Sequence, residues 1–305
     1  MNRLTLKHLR YFEALARHGH FGRAAEACAI SQPALSLQIR ELEEILGAPL
    51  AERTARRIRL TPLGAAFARR ARAVLADVHA LEDLARAAAG PLSGPLQIGV
   101  IPTVAPYLLP RVITALAAHL PGLDPRPREA VTEKLIEELM DGRLDAAIVA
   151  LPVSEPTLHE QPLFSEEFVL VRPLADADRP VPSSDMLREM RLLLLEEGHC
   201  FRDQALAFCA MSAARPRDVM EGTSLATLVQ MVGAGLGVTL IPEMAVGVET
   251  RSAPVSVARL APPRPTRTIG MVWRNSSPLS EPLSRLSGVV RNAVCPGGEG
   301  QGAGA

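Results

Sequence analysis

Along the first ninety residues, apolar positions return every three or four residues. Leu6, Leu9, Phe12, Leu15 and Ala16 predict a first amphipathic helix, stopped by Gly19 and His20. Phe21 to Cys28 reads as a second, short helix with Phe21, Ala24, Ala25 and Cys28 on one face. Its alanines let a neighbouring helix approach closely. Ser31 then suits N-cap duty, and Pro33 is tolerated in a first helical turn. A third helix is expected from about Gln32 to Leu46, burying Leu35, Ile39, Leu42 and Leu46, with Gly47 as its C-cap. Thr61 to Ala89 reads as one long helix capped by Thr61, with Pro62 in its first turn. Phe67, Val74, Leu75, Val78, Leu81 and Leu84 form a stripe near heptad spacing, which a lone helix leaves uncovered. Pairing with a second copy is therefore expected. Gly90 to Pro95 is a break and a hinge by composition.

From Leu96 onward the pattern becomes strand and helix in alternation. Leu96–Val100 and Ala146–Ala150 read as buried strands, with another near Pro127–Ala130. Helices are expected over Tyr107–Leu120 and Thr132–Met140. Repeated strand–helix–strand units imply a parallel sheet with ligand sites at the strands' C-terminal ends. Phe168–Val171 is a strand entering a second lobe. Glu221–Gly233 reads as a helix, Gly237–Pro242 as a strand, Ile269–Trp273 as a strand crossing back, and Pro282–Val294 as a closing helix. Gly297–Ala305 is Gly-rich and expected to be disordered. Two α/β lobes joined by crossover strands make a clam-shell like that of periplasmic binding proteins.

Charge modifies this picture only in its distribution. Residues 1–90 hold 14 Lys and Arg against 9 Asp and Glu, and the remainder hold 19 against 24. A basic front and an acidic back point to nucleic acid at the front. No apolar run approaches the roughly eighteen residues of a membrane span, and Met1–Arg10 lacks a hydrophobic signal core. A cytoplasmic location and no membrane partner are expected. In that compartment Cys28, Cys200, Cys209 and Cys295 are not by default a disulfide framework.

Two helices joined by a tight turn, the second opening polar, have the form of a helix-turn-helix. Ser31, Gln32, Pro33, Ser36, Gln38 and Arg40 are its candidate DNA-contacting residues, suited to base edges and phosphates in a major groove. Arg53, Arg56, Arg57 and Arg59 lie on a short hairpin-like segment that reads as a wing. Phe21-Gly22-Arg23-Ala24-Ala25, Ser31-Gln32-Pro33-Ala34-Leu35-Ser36, Leu42-Glu43 and Leu60-Thr61-Pro62-Leu63-Gly64 resemble the N-terminal domain of LysR-type transcriptional regulators. The resemblance implies a winged helix-turn-helix that binds double-stranded promoter DNA as dimers paired into tetramers. It makes the long helix a dimerising linker and the clam-shell an effector domain. The expected organisation is then an α/β chain: a winged helix-turn-helix over 1–61 and a linker helix and hinge over 62–90. A regulatory domain follows over 91–294, with lobe I at about 91–166 and 267–294 and lobe II at about 167–266, before a tail over 295–305.

The remaining chemistry lies in Leu192–Cys209. A buried-strand run ends in an acidic turn, and Cys200 then falls where a helix begins. Partial positive charge at a helix N-terminus lowers a cysteine pKa and makes thiolate available. His199 offers a donor and Arg202 a cation, while Asp203 opposes slightly or positions Arg202. A thiolate in a polar pocket is suited to attack on an O–O bond, leaving sulfenic acid. Cys209 is the natural second thiol. On one continuous helix it would lie about 13.5 Å along the axis and on the opposite face. A disulfide needs Cα atoms within about 7 Å, so bonding requires the helix to unwind. Read without that chemistry, Cys209 is a small buried hydrophobe and Cys200 an inert helix-start residue. Cys28 is assigned to packing and Cys295 to the tail. No metal site or cofactor is expected, because Cys200, Cys209 and His199 lack a zinc-knuckle spacing and a fourth ligand.

Gly198-His199-Cys200-Phe201-Arg202-Asp203-Gln204 with Phe208-Cys209 resembles the hydrogen peroxide-sensing OxyR branch of the LysR family. So do Ile101-Pro102-Thr103-Val104 with Pro106-Tyr107-Leu108-Leu109-Pro110, Glu129-Ala130-Val131-Thr132, Thr223-Ser224-Leu225 and Arg267-Thr268-Ile269-Gly270. The resemblance implies that Cys200 is peroxidatic and Cys209 resolving. It implies a peroxide pocket of Thr103, Thr132, His199 and Arg267, with Arg267 facing the thiolate. Thiol-disulfide reductants and RNA polymerase are expected partners, and because peroxide is consumed stoichiometrically no enzymatic role is expected. Ala210 departs from the aromatic expected after the second cysteine, which bears on how firmly the intervening helix packs. A regulator that binds a small carboxylate effector between its lobes, with no redox role, is the alternative.

Overall fold

Thr5 starts the first helix, α1 (Leu6–His18), through a reciprocal cap: its hydroxyl accepts from His8 N–H, and His8 Nδ1 accepts from Thr5 N–H. Gly19 closes α1 in the left-handed conformation that glycine adopts without strain. Helices α2 (Phe21–Ala27) and α3 (Gln32–Leu46) follow, with the Ser31 hydroxyl capping α3. Phe12, Leu15, Ala24, Leu35, Ile39, Leu42 and Leu50 close a common core among them. Leu46, expected in that core, is exposed, because the helix ends there and its last turn clears the neighbouring helices. Strands β1 (Ala51–Arg53) and β2 (Ile58–Leu60) pair antiparallel. Glu43 accepts from the backbone N–H groups of Leu50 and Ala51, fixing the strand against α3.

The computed structural model describes residues 4–53, 58–88, 93–209 and 220–294. Arg56 and Arg57, the Gly90–Pro91 break, Ala210 and Cys295 lie outside these, as does the tail. Helix α4 (Pro62–Ala88) is capped by Thr61, whose hydroxyl accepts from Gly64 N–H at 2.9 Å. Gly64 is needed for another reason: a Cβ there would stand 1.9 Å from the Leu50 carbonyl oxygen. One face of α4 packs Ala71 and Leu75 on Leu9 of α1. Of the expected stripe, Phe67 and Leu75 therefore pack within the chain, whereas Val74, Leu81 and Leu84 are 42%, 66% and 56% exposed and uncovered.

Residues 1–85 and 86–305 form two compact units, and the second holds the sheet. Its elements run β3 (Gly94–Val100), α5 (Ala105–His119), β4 (Leu123–Glu129), α6 (Thr132–Met140), β5 (Ala146–Leu151), β6 (Leu158–Pro173) and α7 (Ser184–Glu189). They continue β7 (Leu193–Leu195), α8 (Cys200–Phe208), β8 (Met220–Gly222), α9 (Leu225–Gly233), β9 (Thr239–Pro242), α10 (Glu243–Glu249), β10 (Val255–Arg259), β11 (Thr266–Arg274) and α11 (Ser280–Val294). The large sheet has the order β10-β6-β11-β5-β3-β4, with β9 also on β6. It is mixed, not parallel as expected. Only β3, β4 and β5 are parallel, and β11 runs antiparallel to both β5 and β6. The expected helix over Glu221–Gly233 loses its first residues to β8, which pairs parallel with β7, and Ser224 caps the helix that remains.

Two apolar cores sit along this sheet. One gathers Ile98, Val100, Leu108, Leu135, Ile148, Met271, Trp273 and Leu283. The other gathers Phe168, Leu170, Leu193, Leu194, Leu195, Phe201, Leu206, Leu225 and Ile241. Strand β6 feeds both: Leu158 and Leu163 enter the first core, and Phe168 to Val171 enter the second. The cores define two lobes, and the strand that joins them carries no break.

Candidate functional site

Three chain segments converge where the lobes meet. The loop after β3 brings Thr103, the turn after β4 brings Thr132 as the first residue of α6, and the turn after β7 brings His199 and Cys200. Strand ends deliver each of them, but from two sheets: β3 and β4 belong to the large sheet and β7 to the separate β7–β8 pair. Ile101, Pro102, Thr103, Val131, Thr132, His199, Cys200 and Phe201 line a crevice of about 160 Å3. Four of the expected site residues therefore meet in one place. The crevice is narrow, and no sphere the size of water fits within it.

Cys200 is the first residue of α8, with His199 at the N-cap position. The His199 ring makes no capping bond, so the N–H groups of the first turn keep their partial positive charge beside the thiol. Burial holds His199 below the ordinary histidine range, against the opposing pull of Glu196 and Glu129. It is then neutral near pH 7, with one ring nitrogen to donate and one to accept. The Thr132 hydroxyl oxygen is buried and has no hydrogen-bond partner among the described residues. A buried hydroxyl without a partner is costly, and here it faces the space beside Cys200.

Arg267 stands one layer back. Its Nη1 donates to Thr103 Oγ1 at 2.8 Å and its Nη2 to the Thr103 carbonyl at 3.0 Å. Its guanidinium lies over the Phe201 ring, 5.2 Å from the centroid. Arg267 thus reaches the crevice through Thr103 and Phe201 and does not line it, although the family resemblance has it facing the thiolate. Arg202 is also turned away, donating to the Leu195 carbonyl at 2.8 Å and pairing with Glu221 of β8 at 2.7 Å. Asp203, expected to position Arg202, is exposed in the first turn of α8 and does not pair with it. Glu221 takes that part because β7 and β8 pair side by side, bringing its carboxylate under the helix. Two carboxylates escaped the sequence reading, Glu221 for Arg202 and Glu166 for Arg267. Their only signal is strand pairing, which places Glu166 directly opposite Arg267 across β6 and β11.

Cys209 occupies different surroundings. It caps the C-terminal end of α8, is fully buried, and belongs to the second lobe's core. Burial pushes its thiol up to about 11, well outweighing the opposing effect of Arg188. Cys200 packs instead against the core of the first lobe. The helix between them is continuous, so both thiols are free. Cys28, assigned to packing, lies half-buried against the core of the helix-turn-helix, and burial raises its thiol too.

A wider cleft opens beside the crevice. It encloses about 490 Å3 and includes Thr103, Tyr107, Glu129, His199, Ser224 and Glu249 in its lining. Tyr107 of α5 donates to Glu249 of α10 at 2.6 Å across it. In the N-terminal unit, Ser31, Gln32, Pro33 and Arg40 are exposed on α3, and Ser36 and Gln38 are half-exposed. Gln38 donates to Glu41, and Ser31 is occupied as the cap. The Arg53 backbone is in β1.

Comparison with known proteins gives one answer along the chain. The profile for the bacterial regulatory helix-turn-helix protein, lysR family, matches residues 6–65, and the LysR substrate binding domain profile matches residues 89–294. A probable hydrogen peroxide-inducible genes activator of Streptomyces viridosporus is 45% identical over 95% of this chain and 94% of its own. The DNA-binding transcriptional dual regulator OxyR of Escherichia coli K12 is 42% identical over 94% and 95%. Among solved structures, a full-length OxyR of Pseudomonas aeruginosa with one cysteine changed to aspartate aligns with a TM-score of 0.71, 36% identity, and 95% and 96% coverage. An OxyR cysteine-to-serine mutant of Corynebacterium glutamicum with H2O2 bound aligns with a TM-score of 0.65, 35% identity, and 96% and 93% coverage. With both profiles matched and relatives of this identity along nearly its whole length, this chain belongs to the LysR family of transcriptional regulators, in the OxyR group.

Proposed function

We propose that this chain is a DNA-binding transcriptional regulator that senses hydrogen peroxide at Cys200 and records it as a disulfide to Cys209. The observation that carries the reading is the crevice. A free thiol at a helix N-terminus faces a buried, unpartnered hydroxyl on Thr132 and a neutral His199. Hydrogen peroxide both donates and accepts, which matches the polar groups of that lining, and the crevice widens to admit it. The relatives' description as hydrogen peroxide-inducible gene activators, and an OxyR relative solved with H2O2, support it. In the first step the Cys200 thiolate attacks one peroxide oxygen and the O–O bond breaks. The other oxygen leaves as hydroxide with the electron pair and takes a proton to become water. Sulfur is oxidised to sulfenic acid as peroxide is reduced. The Cys209 sulfur then attacks the sulfenic sulfur, an S–S bond forms, the S–O bond breaks, and a second water leaves. Because a helix sets Cα positions nine residues apart about 13.5 Å along its axis, this second step requires α8 to unwind.

In this reading Ser31, Gln32, Pro33, Ser36, Gln38 and Arg40 contact promoter DNA, with Arg53, Arg56 and Arg57 on the wing. The exposed stripe on α4 pairs two chains, and two pairs assemble as a dimer of dimers. Unwinding of α8 alters contacts between subunits and so the spacing of the DNA-binding domains. The regulator works in the cytoplasm, is reset by thiol-disulfide reductants, contacts RNA polymerase, and consumes peroxide stoichiometrically, so it is not an enzyme. The carboxylate-effector alternative finds poor support, since the cleft is lined by Glu129 and Glu249 with no Lys or Arg among the described residues. The test is non-reducing peptide mapping after a brief micromolar peroxide pulse, with footprinting on the chain's own upstream DNA. A Cys200–Cys209 link and an altered footprint are expected. No link and an unchanged footprint would falsify the proposal.

A further inference from the structure

Glu166 is a buried acidic group, linked to the crevice through Arg267 and Thr103, that the peroxide reaction leaves unused. Its side chain is 7% exposed, and that of Arg267, its cross-strand neighbour, is 0% exposed. Glu166 Oε1 accepts from Arg267 Nε at 2.9 Å and lies 2.8 Å from Nη2. Its Oε2 accepts from the Met244 backbone N–H at 3.2 Å, at the start of α10. Both carboxylate oxygens are therefore engaged, and the carboxylate cannot swing without losing a partner. An arginine gripped along one edge in this way presents its other edge in a fixed plane.

That other edge meets Thr103 at both its hydroxyl and its carbonyl. A hydroxyl carries one proton and two lone pairs. With an Arg267 N–H filling a lone pair of Thr103 Oγ1, the hydroxyl's own proton is left to donate. Thr103 lines the crevice with Cys200. When a thiolate attacks peroxide, negative charge develops on the departing oxygen, and a donor already in place stabilises it without reorganising. We infer that Glu166 is a positioning residue for peroxide reduction: it fixes Arg267 so that Thr103 presents its hydroxyl proton to the departing oxygen. The carboxylate also balances the buried guanidinium, so the donor is held without leaving an uncompensated charge beneath it. Glu167, one residue on, does not share this role. It pairs with Arg259 and Arg264 at the surface.

The inference rests on the peroxide-sensing reading, and the experiment separates the two. In full-length protein carrying Cys209→Ser, two rate constants are measured for Cys200, one with hydrogen peroxide and one with iodoacetamide. Iodoacetamide expels iodide and needs no donor for a departing oxygen. Glu166→Gln is expected to slow the peroxide reaction by at least about tenfold while leaving alkylation within about threefold. Glu166→Asp, which keeps a shorter carboxylate, is expected to give a peroxide-to-alkylation ratio between those of the parent and Glu166→Gln. Glu167→Gln is expected to match the parent in both. A peroxide rate for Glu166→Gln within about twofold of the parent, or a parallel fall in both rates, overturns the inference. If thermal unfolding shows Glu166→Gln to be unfolded, Glu166→Asp decides, and a parent-like ratio overturns the inference. A parent whose Cys200 ignores peroxide while reacting with iodoacetamide removes the peroxide-sensing reading itself.

Discussion

Cys209 has no exposed surface, and its thiol is pushed up to about 11. At pH 8 only about one such thiol in a thousand is ionised. In the reduced chain, brief iodoacetamide treatment at pH 8 is therefore expected to label Cys200 and spare Cys209, with Cys209 labelled only after denaturant is added. Peptide mapping checks this, and equal labelling of both would contradict the burial. Unwinding of α8 would remove the burial that suppresses the second thiol, so the same motion delivers it and activates it. At this scale much of the site was legible in local motifs. Cys200 and His199 were read from a strand-to-helix turn that periodicity reveals, whereas Thr103 and Thr132 entered the pocket through the family resemblance. Glu166 and Glu221 were not legible, because each partners an arginine through strand pairing. Arg267 and Glu166 are 101 residues apart, and no local pattern encodes that register.

Helix α8 is short, and its nine residues cannot hold a helix by propensity alone. Three attachments keep it folded. Phe201 packs edge-on against Phe168, Ala205 and Leu206 are buried, and Arg202 clasps the ends of β7 and β8. Arg202→Ala removes a buried charged hydrogen bond worth about 2 kcal/mol. Hydrogen exchange of the reduced chain is expected to show amides 204–208 opening at least about tenfold more readily, the conversion of about 1.4 kcal/mol. Disulfide formation after a peroxide pulse is expected to accelerate with it. Exchange unchanged from the parent would show that the apolar contacts alone hold α8. The helix itself was legible, since a strand, an acidic turn and a helix-start cysteine predict it. The Arg202–Glu221 clasp was hidden because β8 was read as part of the following helix. Met220, Glu221 and Gly222 carry no alternation long enough to mark a strand, and only pairing with β7 makes them one.

Across the whole chain, the helices were legible because period 3.6 is written locally, as in α1, α3 and α4. The direction of strands β6 and β11 was not, and it turned an expected parallel sheet into a mixed one. Glu138 shows what steadies the first lobe. Burial alone would raise its pKa, but Arg128 at 2.5 Å and Arg143 at 3.0 Å outweigh that and hold it below its ordinary value of 4.5. A carboxylate depressed in the folded state adds stability above its unfolded pKa and loses it as pH falls through the folded value. Glu138→Gln is expected to lower stability at pH 7 by about 1 kcal/mol, since Arg128 and Arg143 keep access to solvent, and to flatten the loss of stability below pH 4.5. Denaturant melts of the full chain across pH check both, and an unaltered acid limb would assign the acid sensitivity elsewhere. The division of the two cysteines between two cores has a consequence for selectivity among injuries. Alkylation of Cys200, or its oxidation past sulfenic acid, caps the sulfur and gives Cys209 nothing to attack. Only a lesion that one sulfur can pass to another draws Cys209 out of the second lobe's core. On the peroxide-sensing reading, the fold therefore distinguishes reversible from irreversible damage at the same atom and answers only the former.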